Sequence, residues 1–134
     1  MTNNLYHYRA YVTSVYDGDS FTLEVDMGFG LTNKLRVRLY GLDTPEVRRA
    51  KGRSEAHVIQ GKEIRDLVRR LILRKHIIVK TFQNKKYDAR KGKYGRYLVH
   101  VWYEDSYGNW HHLNDVLSVL DGVRVMDDGG SIVT

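Results

Sequence analysis

The sequence contains no cysteine and a single proline among its 134 residues. The missing thiols exclude disulfide staples and thiolate chemistry, and they leave the redox compartment open. No apolar run approaches the roughly 20 residues that a membrane-spanning helix requires. The opening stretch MTNNLYHYRAYV has no charged start followed by an apolar segment. No secretory signal is read there, so a cytoplasmic, phage- or plasmid-encoded protein is expected, and a secreted one if the chain is a trimmed mature form. Internal repeats, low-complexity tracts and Pro/Ser-rich linkers are missing too. That leaves one domain over 1–134, with a core at about 8–126 and a loose tail at 127–134.

Hydrophobic residues make up 42% of the chain and charged residues 28%, an ordinary balance that buries a core without metal or disulfide support. The formal net charge is +6. A basic surface concentrates polyanions, so nucleic acid is the first partner to consider, although charge alone fits a merely basic protein equally well.

Residues 8–16 (YRAYVTSVY) read as a strand. Residues 19–27 alternate, with Phe21, Leu23, Val25 and Met27 on one face. Between them Asp17-Gly18 is a dipeptide that readily takes the positive φ of a tight hairpin. A third strand covers about 33–40, where Leu35, Val37 and Leu39 share a face and Arg36 and Arg38 take the other. The lone Pro45 ends that segment, and a basic loop follows (Arg48, Arg49, Lys51, Arg53). Ser54 caps a helix over about 54–73, in which Ile64, Leu67, Val68, Leu71 and Ile72 recur at helical spacing and Gly61 weakens the first half. Strands at 76–82 and 96–103 flank a second basic loop. A short helix at about 112–120 and a strand at Val123–Met126 complete the order. Three strands, a helix, two strands and a small helix suit an α+β, mainly β fold: a five-stranded, partly open OB-fold barrel.

Three segments carry candidate chemistry. Asp17-Gly18-Asp19 offers carboxylate oxygens to a hard cation such as calcium, or is simply a hairpin turn. Arg38 is followed by Asp43-Thr44-Pro45-Glu46. There the proline restricts its own φ and the residue before it, so two carboxylates stand in a defined relation. Metal-assisted hydrolysis needs such a pair, one to hold a metal and one to accept a proton; the same run also serves as a turn. Lys93-Tyr94-Gly95-Arg96 opens the last long strand. Its arginine suits a phosphate in fork geometry, while a plain basic loop is the ordinary reading of an isolated KYGR. Together the three describe one site of metal carboxylates, a carboxylate base and two arginines. The six histidines have no zinc-ligand spacing. Trp102 and Trp110 read as packing residues, and Tyr87 and Tyr107 lie in polar loops where they suit base stacking.

On these segments the chain resembles the staphylococcal nuclease (thermonuclease) family: DGDS at 17–20, RLYGLDTPE at 38–46 and KYGR at 93–96 occur in the family's order, with Asn114-Asp115 in the small helix. The resemblance runs from about residue 9 to 125. It implies a calcium-dependent endonuclease of the micrococcal nuclease type that cuts DNA and RNA, prefers single-stranded stretches, leaves 3′-phosphate ends and acts as a monomer. By the same resemblance Asp19, Asp43 and the Thr44 carbonyl bind one calcium ion, and Glu46 is the general base. Arg38 and Arg96 clamp the scissile phosphate, Lys93 and Tyr94 touch a neighbouring phosphate, and Asp17 supports the metal site from behind. Ser20 stands where the family has threonine. VRVMDDGG at 123–130 lacks the prototype's pocket tyrosines, and the prototype's C-terminal helix has no counterpart. The alternative is a non-catalytic OB-fold module that binds nucleic acid or a protein partner.

Overall fold

The computed structural model describes residues 5–82, 96–126 and 132–133. The β-branched and aromatic alternation of the N-terminal half gives three antiparallel strands, β1 (His7–Asp17), β2 (Ser20–Gly28) and β3 (Leu31–Leu39). A two-residue β4 (Leu42–Asp43) and helix α1 (Glu55–Ile72) follow, then β5 (His76–Lys80) and β6 (Arg96–Glu104). The chain continues through β7 (Trp110–His112), α2 (Leu113–Ser118), β8 (Arg124–Met126) and β9 (Ile132–Val133).

The main sheet runs β3-β2-β1-β5-β6-β7, and β3 closes onto β6 in parallel from Arg36↔Arg96 to Leu39↔Val99. Five strands therefore form a closed barrel of OB-fold type, in the element order the sequence implies. Strand β1 serves both β2 and β5, and its pairing with β2 slips between Val12 and Ser14 and again between Val15 and Asp17. Bulges of this kind bend a strand and sharpen its twist, which closure requires. Inward residues from every barrel strand fill the interior, among them Val12, Leu23, Val37, Val79 and Val101, all nearly inaccessible. Met27 is the exception to the predicted β2 face: it is exposed because the β2–β3 hairpin runs on beyond the barrel.

Helix α1 begins at the expected cap, with the Ser54 hydroxyl accepting from the His57 amide at 3.1 Å. It buries Val58, Gly61, Ile64, Val68 and Ile72. Asn114 of α2 is 4% exposed; its Oδ1 accepts from Val101 N and its Nδ2 donates to the Tyr40 and Val99 carbonyls. That amide ties α2 to the end of β3 and the middle of β6, since each unmade bond of a buried amide costs about 1–3 kcal/mol. Leu42–Asp43 pairs with β8, and β8 pairs with Ile132–Val133. Of the tail expected to be loose, 127–134, only Ile132–Val133 are among the described residues, and they pair with β8.

Trp102 is half-buried in an aromatic cluster and stacks on His112 at 4.9 Å, whereas Trp110 is half-exposed on β7. Tyr107 is exposed in its loop, and Tyr87 lies outside the described residues. His100 Nδ1 is 2.9 Å from His112 Nε2, and His112 Nδ1 meets Asp115 at 2.8 Å. Burial first, then the neighbouring His112 and Lys80, push His100 from 6.5 down to about 4. Between those values the unfolded chain binds the proton that the fold refuses. Stability is therefore full above pH 6.5 and falls as the pH drops towards 4, by up to about 3 kcal/mol from this group. Urea unfolding from pH 7 to 4.5 should reveal that decline, and His100→Gln should flatten it; an equally steep profile in the variant removes His100 as its source.

Candidate active site

The site forms where the β1–β2 turn, the end of β3 and the segment after β4 meet the first half of α1. In the DGD run, Asp17 and Ser20 pair across the strands, and Gly18-Asp19 make the turn. Gly18 does not adopt the positive φ expected of the hairpin. Its reason is steric: a Cβ there would lie 2.7 Å from Ile64 Cγ2 and 3.2 Å from the Thr44 side chain. The positive φ falls instead at Gly41 (84°), which reverses the chain after β3.

That reversal folds Asp43 back onto Arg38. The arginine leaves β3 opposite the core face, as its register predicts, yet is only 1% exposed. Its Nη2 donates to Asp19 Oδ2 at 3.3 Å, Asp43 Oδ1 at 2.9 Å and the Leu42 carbonyl at 3.4 Å. Two carboxylates thus converge on a single cationic nitrogen. Asp19 is buried as well; its Oδ2 also accepts from Thr44 N at 3.3 Å and its Oδ1 from Ser20 Oγ at 3.4 Å. Among the described residues, no group of three or more histidine, cysteine or acidic side chains forms a metal cluster. A hard cation at the Asp19–Asp43 convergence would need backbone, water or ligand oxygens to complete its shell.

Arg96 reaches the same place from β6. Its Nη1 donates to Ser20 Oγ at 2.9 Å, so Ser20 links the second arginine to the first acid. The rest of its planar fork has no such bond: Nε and Nη2 are buried and lack a hydrogen-bond partner among the described residues. Burial, and next the nearby Arg38, lower the Arg96 pKa, with Asp19 opposing them. Two arginines held this close, one with a buried edge that has no partner among the described residues, make a site that favours an anion.

Glu46 lies on the segment that packs against α1. Its amide donates to His57 Nε2 at 3.3 Å, and the Val47 amide donates to Asp17 Oδ1 at 3.4 Å. Asp17 therefore contacts the Glu46 segment. Gly61 admits that segment to the helix face: a Cβ there would lie 2.6 Å from the Pro45 and Glu46 carbonyl oxygens. The glycine that weakens α1 is the one that lets the Glu46 backbone approach it. The Glu46 carboxylate is ion-paired with Arg53, which also donates from Nη1 to the Arg48 carbonyl at 2.7 Å.

Asp19, Arg38, Glu46 and Arg96 line one cavity of about 270 Å³, together with Asp17 and Ser20. Asp43 and Thr44 line an adjoining cavity of about 650 Å³, and Glu46 and Arg53 border both. Lys93 and Tyr94 lie outside the described residues. Sequence reading missed His57 and the pairing of Arg53 with Glu46. Neither had a signal, because Arg53 sits in a basic loop that reads as solvated and His57 reads as one more helical residue.

Among proteins of known family, the model described as "Staphylococcal nuclease homologue" matches residues 36–122, more than half of the chain. A relative from Methanocaldococcus jannaschii, described as an uncharacterized protein, is 32% identical over 129 residues. The match covers 89% of this chain and 59% of the relative, so the chain spans about three fifths of the curated relative it matches.

Proposed function

The chain belongs to the staphylococcal nuclease homologue family, and we propose that it is a calcium-dependent nuclease that hydrolyses phosphodiester bonds of DNA and RNA, prefers single strands and leaves 3′-phosphate ends. One observation carries the reading: the buried edge of Arg96, with two donor nitrogens unsatisfied beside Arg38. A phosphodiester supplies the paired oxygens such a fork accepts, and the charge that grows on those oxygens at phosphorus strengthens the bonds in the transition state. Arg38 and Arg96 hold the phosphate. Glu46 takes a proton from the attacking water, whose oxygen bonds to phosphorus as the bond to the 5′ oxygen breaks.

Asp19 and Asp43 fit a hard cation because both already turn an oxygen to one cationic nitrogen. With the Thr44 carbonyl they would hold one calcium ion, which when bound neutralises charge on the phosphate and orients water. Lys93 and Tyr94 are assigned to a neighbouring phosphate on the family resemblance, Asp17 supports the site through the Val47 amide, and one domain acting as a monomer remains the proposed organisation.

The test is digestion of matched single- and double-stranded DNA and RNA. Calcium should support cleavage, with single strands cut faster, and EDTA should stop it. Arg96→Gln should slow it about 10²–10³-fold, as loss of a donor to developing charge does. Tight binding without cleavage in calcium, magnesium and manganese would instead make this a non-catalytic nucleic-acid module.

A further inference from the structure

Tyr16 borders the anion cavity together with Arg38, Arg96 and Glu46. Val15 pairs with Phe21 and Asp17 with Ser20, so Tyr16 is the extra residue of the bulge that ends β1. A bulge beside a site re-aims the side chain it carries. Val15 points into the core, while Tyr16 is 52% exposed, with its ring outside the barrel. Its hydroxyl accepts from Arg48 Nη2, and the Arg48 guanidinium carbon lies 6.0 Å from the ring centroid. Arg48 also borders the cavity, and its carbonyl is tied to Arg53.

An exposed aromatic ring, held at its hydroxyl by one arginine and next to two buried arginines suited to a phosphate, has the features of a base-stacking platform. Stacking on an aromatic face tolerates every base, and a neighbouring guanidinium adds a cationic contribution. We propose that Tyr16, oriented by Arg48, stacks the nucleobase next to the phosphate held by Arg38 and Arg96. The subsite rests on the phosphate-binding reading above. It supplies an aromatic contact from the β1 side, whereas the prototype's pocket tyrosines belong to the segment after the second helix. Because stacking reads no hydrogen-bond pattern, this nucleotide is held without base preference. An unpaired strand offers its base faces freely, in keeping with a preference for single strands.

The test uses the full chain carrying Glu46→Gln, so that binding is measured without cleavage. Single-stranded octadeoxynucleotides are titrated by fluorescence anisotropy, each intact or with one abasic position moved stepwise along the strand. The Glu46→Gln protein should bind the intact strand about 5–100-fold more tightly than the strand abasic at the stacked position. Adding Tyr16→Ala should bring that ratio close to one, while Tyr16→Phe should keep most of it. A ratio that survives Tyr16→Ala overturns the stacking assignment while leaving phosphate binding intact. If neither strand binds, or if Arg96→Gln leaves the affinity of both unchanged, the phosphate-binding reading itself fails and the subsite with it.

Discussion

Arg38→Met should destabilise the protein by about 3–5 kcal/mol in the absence of metal, the range found when one partner of a buried ion pair is removed. Arg38 is 1% exposed and bridges Asp19 and Asp43 through a single nitrogen. Methionine fills much of its volume, so what is lost is the charge and the hydrogen bonds to Asp19, Asp43 and the Leu42 carbonyl. The two carboxylates are then left facing each other without their shared cation, and the uncompensated charge of the buried Asp19 costs more than the missing attraction. For a domain of this size the loss should lower the melting temperature by roughly 10–18 °C. Calcium should restore part of that loss, since a cation between Asp19 and Asp43 does the guanidinium's electrostatic work and binds only the folded site. Melting curves of parent and variant, each with calcium and with EDTA, decide it. Curves unaffected by the substitution would show that Arg38 is not the counter-ion of the acid pair.

Glu46→Gln should reduce the cleavage rate by about 10²–10⁴-fold while changing oligonucleotide affinity only a few-fold. The substitution keeps the shape and removes the proton acceptor. The backbone tethers remain, because His57 and Gly61 act on the Glu46 main chain. Arg53 tightens the prediction: if Glu46 is the base, the ion pair with its carboxylate gives Arg53 a positioning role. Arg53→Ala should slow cleavage by about tenfold in the parent, a loss on the order of 1.4 kcal/mol, and have little effect when Glu46 is already glutamine. Single-turnover kinetics on the four members of that cycle separate the outcomes. Additive losses would mean that Arg53 acts on the substrate or on folding and not through Glu46, and full activity in Glu46→Gln removes the general-base assignment.

The legible part of the site is the part made of short-range order. Asp19 follows a turn glycine, Arg38 occupies the outward register of β3, and Asp43 to Glu46 are held by one proline. Each is fixed by a few neighbouring residues, so the residue types were readable before any fold was known. Arg53, His57 and Tyr16 were not readable in their roles. Arg53 meets Glu46 across the loop, His57 acts from the first turn of α1, and Tyr16 is turned outward by a slip in pairing with β2 that leaves no mark in its own sequence.

Gly18 and Gly61 mark the same boundary. The sequence presented one as a hairpin residue and the other as a weak point in a helix, both inferences from backbone preference. In the fold, each is small because something else comes close: Ile64 and Thr44 at Gly18, and the carbonyls of Pro45 and Glu46 at Gly61. Sequence alone determined the order of the five barrel strands and two helices, the barrel class, the inward face of most strands and the residue types that the proposed cleavage would use, because alternation, helical spacing and turn chemistry are local; the short pairings of β4, β7 and β9 left no such pattern. The tertiary structure alone decided that one guanidinium bridges a buried acid and a half-buried one, that two Arg96 donors lack a partner among the described residues and that Arg53 pairs with Glu46. Those facts depend on which side chains from distant parts of the chain are brought together by the fold, and no local preference encodes that.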